Sequence, residues 1–215
     1  MFDPLKTEIE IRFTAVEDFF TSLQTLPEAQ RKTAKGLAFV HMYAVYEYTV
    51  VNAVRTTIDV LVSHKYKNKS LAPSLMVLFL DSRLQTLRDC GNDRIWERRL
   101  ELAHSFFSEE ISAPKNALMP HDGTHFKRTQ IELLLKVFGI RKKPVTTHDF
   151  FRMDEVVDKR NAVAHGRETA EDVGGGFTED EILQRIRRMK RVCLGFAGLM
   201  EEYCSNKKKH CRKKG

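Results

Sequence analysis

Apolar residues recur along this chain at the three-and-four spacing of helices, and strand-type alternation is weak throughout. The first stripe is Leu5, Ile9, Phe13, Val16, Phe20 and Leu23, behind a start at Asp3-Pro4 that reads as an N-cap and a first helical residue. Pro27 opens a second, longer helix with the stripe Val40, Tyr43, Ala44, Glu47, Val51, Val54, Ile58 and Leu61. His41 and Asn52 within it read as satisfied core or interface groups, and the polar run from Lys65 to Ser70 ends it. Pro73 begins a third helix that lasts to about Asp89, followed by a turn from Cys90 to Asp93. A fourth helix carries Ile95, Trp96, Leu100, Ala103 and Phe107, and the proline- and glycine-containing stretch from Ile111 to Gly123 reads as a loop.

A fifth helix holds Ile131, Leu134, Leu135 and Phe138 and stops at Gly139. A sixth, from about Asp149, turns Phe150, Met153 and Val157 inward, runs through Arg160 to His165 and stops at Gly166. Gly174-Gly175-Gly176 reads as a break in regular structure, and Thr178 to Glu181 form a capping box. The last helix buries Ile182, Ile186, Met189, Cys193, Phe196, Met200 and Tyr203. The expected fold is all-α: one helical bundle over residues 1–204, with 65–145 as a helical insertion or additional layer and 205–215 as a basic, disordered tail.

No apolar run is long enough to span a bilayer, and the N-terminus lacks the basic-then-apolar layout of a secretory signal. A cytoplasmic location is therefore expected. Cys90, Cys193, Cys204 and Cys211 show no paired spacing, and Cys193 and Cys204 read as buried free thiols. His121, His125 and His148 have no convergent acids, so neither a metal nor another cofactor is expected.

The net charge of +7 looks like a nucleic-acid signal until its distribution is considered. Lys207, Lys208, Lys209, Arg212, Lys213 and Lys214 crowd into the last nine residues, and without them the chain stands at +1. The tail reads either as a loose holder of a polyanion or as a solubilising end. A second basic run, Arg185, Arg187, Arg188, Lys190 and Arg191, reads as a solvated face, or as a phosphate track if it lies beside the active groups.

The candidate chemistry lies in Arg160-Asn161-Ala162-Val163-Ala164-His165. Asn161 and His165 are four apart and stack on one helix face, and Arg160 is one step round. Histidine exchanges protons near neutral pH, arginine grips phosphate oxygens at any pH, and an amide beside them is able to fix the ring tautomer. No metal is needed where the substrate brings its own nucleophile, as RNA does with its 2′-hydroxyl. The same spacing also fits a structural role, with Arg160 paired to an acid and His165 capping the helix. Glu47, an acid on the apolar stripe, fits either a role in orienting Arg160 or His165 or an ion pair with a base such as Arg55.

The segment from Asp158 to Gly166 closely resembles the R-N-x-x-x-H core of the HEPN superfamily of RNA-cleaving domains. Glu171-Asp172-Val173-Gly174, followed by Phe177-Thr178 and a capped helix, resembles its MAE-like branch, and Gly36-Leu37 to Tyr46-Glu47 resembles the family's first core helix. The Trp96-Glu97 helix and Phe138-Gly139-Ile140 match in order and spacing.

The resemblance implies a metal-independent endoribonuclease acting through Arg160, Asn161 and His165; Glu47 joins them as a catalytic candidate from its place on the stripe, and Arg167, Arg188, Arg191, Lys207, Lys208 and Lys209 are the basic candidates for RNA binding. It further implies a toxin or anti-phage defence effector, restrained by an antitoxin or sensor protein, acting on tRNA, mRNA or rRNA. The other reading it allows is a non-catalytic module binding nucleotide, RNA or a protein partner. In neighbouring HEPN toxins a tyrosine two positions after the histidine is modified by a partner nucleotidyltransferase; here Arg167 stands there, which puts such regulation in doubt. One motif supplies one histidine, whereas cleavage needs a base and an acid. A homodimer with a composite site, away from any membrane, is the expected form.

Overall fold

The computed structural model describes residues 1–23, 25–114 and 126–212. Described helices are α1 (Asp3–Ser22), α2 (Glu28–Ser63), α3 (Pro73–Phe79), α4 (Asp81–Asp89), α5 (Ile95–Phe106), α6 (Arg128–Val137), α7 (Thr147–Ala164), α8 (Ala170–Gly175) and α9 (Glu179–Ser205). Among the described residues the only β pairing is one isolated antiparallel bridge, Leu71 to Cys211. The fold is all-α. No described helix is long and apolar enough to cross a membrane. His121 and His125 lie outside the described residues.

The chain divides into two compact units, and the division falls inside α2, α6 and α9 rather than at 65 and 145. The first unit holds residues 1–54, 125–129 and 142–201; the second holds 55–124, 130–141 and 202–215.

Among the described residues α1, α2, α7, α8 and α9 build the first unit, and cross-links fix the directions of the longer ones. Arg12 lies over the Tyr48 ring at 3.7 Å and Phe19 meets His41 at 6.0 Å, so α1 runs antiparallel to α2. Arg160 lies over Tyr43, and the Tyr46 hydroxyl reaches the Met153 sulfur, so α7 is also antiparallel to α2. Glu155 pairs with Arg185, and Asp149 with Arg188 and Arg191, which aligns the start of α7 with the basic run of α9. The core between them contains Ile9, Phe13, Phe39, Tyr46, Val50, Phe150, Met153, Val157, Ile186, Cys193 and Phe196. Burial pushes the Cys193 thiol up to about 12, which keeps it an inert packing group.

Several local expectations shift. Phe2, not Asp3, takes the N-cap of α1, and Asp3 sits in the first turn. The helix expected from Pro73 to Asp89 breaks at Leu80 into α3 and α4. The inner face of α2 is rotated from the expected stripe: Phe39, Met42, Tyr43, Tyr46, Val50, Ala53 and Leu61 are buried, whereas Ala44 and His41 are exposed and Glu47 is half-buried.

The glycine run does not break the chain but ends α8. A Cβ on Gly174 would overlap the Lys32 carbonyl, and one on Gly36 would overlap the Ala170 carbonyl. These two hydrogen-sized positions let α8 lie backbone to backbone on α2, a gain that outweighs the low helix propensity of glycine.

In the second unit α5 packs against α4 and a 3₁₀ turn at Asn68–Ser70 through Leu102 and Ser105. The chain expected to be disordered from 205 is ordered as far as 212. Lys207–Lys209 form a 3₁₀ turn, Ala72 N–H donates to the His210 carbonyl and Arg212 N–H to that of Ser70. His210 is fully buried. Its Nε2 donates to the Tyr203 carbonyl and its Nδ1 pairs with the Tyr66 hydroxyl, both at 2.9 Å. Burial lowers its pKa. An apolar pocket with two ring partners therefore secures a segment whose composition alone suggests disorder.

Candidate active site

The C-terminal end of α7 is fixed by a Schellman cap. Gly166 adopts φ +66°, its N–H donates to the Val163 carbonyl, and the Arg167 N–H reaches back to that of Ala162. His165 is the C-cap residue and is exposed. Only a short turn separates it from Thr169, whose side chain accepts from the Asp172 N–H and starts α8. The glycine crossing seats α8 on α2. The turn carrying His165 is thus secured at both ends, a preorganisation that suits a group acting on substrate.

Asn161 is buried and Arg160 half-buried. The guanidinium Nη1 donates to the Asn161 side-chain oxygen at 2.8 Å, and its carbon lies 4.3 Å from the centre of the Tyr43 ring. Asn161 therefore touches Arg160 through its side chain and His165 through its backbone, its carbonyl accepting the His165 N–H at 3.1 Å. The expected amide contact to the imidazole is replaced by one to the guanidinium, because Asn161 faces inward on α7 while His165 projects from its end.

Tyr43 was legible in the sequence only as a stripe residue. It is almost fully buried, and its hydroxyl accepts the Phe126 N–H at 3.3 Å. Burial raises its pKa, with Glu47 pushing it up and Arg160 down. Both charges therefore lie near this one ring. Glu47 sits one turn beyond Tyr43 on α2 and makes no ion pair among the described residues, Arg55 included. The one sequence signal for Tyr43 is its four-residue spacing from Glu47.

The basic run of α9 does not join this site. Arg188 and Arg191 reach Asp149 at 3.0 and 3.2 Å, Arg185 forks onto Glu155, Arg187 meets Glu17, and Lys190 meets Glu10. Asp149 begins α7 and His165 ends it, about 24 Å apart at the rise of an α-helix. Arg188 and Arg191, expected toward RNA, are both ion-paired to Asp149. Arg167 lies exposed beside His165. Lys207, Lys208 and Lys209 are exposed in the second unit, with Lys209 3.6 Å from Glu202. No group of three or more histidine, cysteine or acidic residues suited to a metal occurs among the described residues, and His148 faces only Asp149, at 3.7 Å.

No curated protein and no solved structure matches this chain. The family model of the MAE_28990-like HEPN domains matches residues 1–208, and the chain belongs to that family.

Proposed function

We propose that the protein is a metal-independent endoribonuclease. HEPN membership is consistent with a ribonuclease or with a nucleotide-binding module. The observation that favours cleavage is a fixed arginine in the last turns of α7 together with an exposed histidine at its C-cap. Arg160 is held by a ring face and an amide oxygen, and its planar guanidinium is suited to grip phosphate oxygens. His165, on a secured turn, is suited to move a proton.

In the proposed reaction the RNA 2′-oxygen attacks the adjacent phosphorus and the 5′-oxygen leaves. One His165 takes the proton of the 2′-hydroxyl and a second, from another copy, protonates the leaving oxygen. Arg160 stabilises the charge on the phosphorane, and the products carry 2′,3′-cyclic phosphate and 5′-hydroxyl ends. Tyr43 and Asn161 position Arg160, and Glu47 biases the electrostatics around it. Arg167 and the lysines of 207–209 contact the RNA backbone. A toxin or defence role, with an antitoxin or sensor as restraint, fits this activity.

The test is cleavage of mixed RNA and DNA by purified wild type, Arg160→Ala and His165→Ala proteins, with circular dichroism on each. RNA-only cutting, lost in both folded variants, is expected. Unimpaired cutting by either variant would remove that residue from the chemistry.

A further inference from the structure

Helix α5 buries only Leu102 and Ser105. Its opposite face is apolar yet open: Trp96 is 70% exposed, Leu100 60% and Phe107, the C-cap residue, 68%, with Ala103 exposed between them. These four positions are spaced four, three and four, the seam of a helix that packs against another helix. The seam offers on the order of 400 Å² of apolar surface, given the size of aromatic side chains. That is as large as the main exposed patch of a typical monomer.

We infer that this face pairs with α5 of a second copy, antiparallel about a twofold axis. Three observations select that occupant.

The seam is self-complementary in the antiparallel sense, since Leu100 then meets the small Ala103 and Trp96 meets Phe107, whereas a parallel pair stacks Trp96 on Trp96 and leaves Ala103 facing Ala103. The flanks agree. Glu97 and His104 lie on one side, Arg99 and Phe106 on the other. Antiparallel pairing sets like side against like side, so Glu97 faces the partner's His104 and Arg99 faces an aromatic ring. Parallel pairing brings Arg99 beside the partner's His104. Glu97 and Arg99 are also the charges of this helix that make no ion pair among the described residues, whereas Arg98 is bound to Glu101.

The surroundings are unsuited to a polyanion. Arg88 pairs with Asp89, Arg94 with Asp93, Arg83 with Glu110, and Arg99 lies over the Trp96 ring at 4.8 Å. Each copy supplies about half of what a standard interface takes from a partner, so the dimer is of the weak, concentration-dependent class. This inference is independent of the ribonuclease reading and of any pairing at the motif.

Trp96 is the sole tryptophan, so its fluorescence reports this face alone. Emission and acrylamide quenching are read on the full chain from sub-micromolar to hundreds of micromolar, with sedimentation in parallel. A blue shift and quenching reduced by half or more, in step with a doubling of mass, are expected. Leu100→Glu abolishes both at unchanged helical content. Glu97→Lys weakens association, and adding His104→Glu restores it by reversing the pair. An invariant Trp96 signal over the whole range overturns the proposal. So does failure of the double variant to regain association, or quenching by single-stranded RNA with the protein remaining monomeric at this face.

Discussion

Both ends of α7 have basic residues nearby, and those residues are held in different ways. At its start, Asp149 and Glu155 absorb Arg185, Arg188 and Arg191 of α9, and α1 takes up Arg187 and Lys190. Toward its end, Arg160 rests on the Tyr43 ring and the Asn161 amide, and His165 is exposed at the C-cap. A cation whose charge is consumed by a carboxylate holds helices together. A guanidinium fixed on a ring and an amide presents a rigid fork that matches phosphate oxygens. The density of basic residues along a sequence is therefore a poor guide to how each of them is held.

The sharpest test of this contrast sets Arg160→Ala against Arg188→Ala and Arg191→Ala in single-turnover RNA cleavage. Loss of a charge stabiliser is expected to cost about a hundredfold or more, whereas the α9 variants stay close to wild type in rate. Comparable losses at both ends would erase the distinction.

Next in size is the Tyr43 contact. Tyr43→Leu removes a cation–π contact worth about 1–2 kcal/mol, so a loss of roughly tenfold in the saturated rate is expected. Tyr43→Phe retains the ring and should retain most of the rate. If the phenylalanine variant falls as far as the leucine one, the hydroxyl contact to Phe126 matters more than the ring face.

Asp149→Asn runs the comparison in reverse by releasing Arg188 and Arg191. The account expects RNA affinity to become steeper in salt, by about one phosphate's worth of slope or more, at an unaltered saturated rate. Stability should fall by about 1 kcal/mol as the partly buried pairs are lost. A changed saturated rate would tie that end of α7 to the chemistry after all.

The smallest expected effect concerns the C-terminal segment, which the buried His210 ties to Tyr66 and Tyr203. His210 has a folded pKa below its unfolded value, so its contribution to stability is present above about pH 6.5 and is lost as pH falls below it. Amide exchange at Ala72 and Arg212 should accelerate on acidification through that range, ahead of the first unit's core. Equal protection at pH 5 and pH 8 would show that His210 does not hold the segment.

Much of the fold was legible in periodicity, because helices with one buried face must repeat every three or four residues. The stripes of α1 and α9 are buried residue for residue as read, apart from Leu23. The α2 stripe was misread because this helix is apolar over more than half its circumference, which leaves the inner face ambiguous. The tail and the glycine run were misread for a different reason. Their order comes from tertiary partners, the Tyr66–Tyr203 pocket for His210 and the Lys32–Gly36 backbone for α8, which no local pattern reveals. At the candidate site, Arg160, Asn161 and His165 stood out by type and spacing. Tyr43 did not, since a buried ring that carries a guanidinium looks in sequence like any other core aromatic.

The most direct measurement is cleavage of matched RNA and 2′-O-methyl RNA by the wild-type protein in excess EDTA, with Arg160→Ala protein as the control for contaminating nuclease. The account predicts that only unmodified RNA is cut, without added metal, and that the new ends are 2′,3′-cyclic phosphates. Cutting of both substrates, dependence on magnesium or manganese, or equal cutting by the Arg160→Ala control would contradict it.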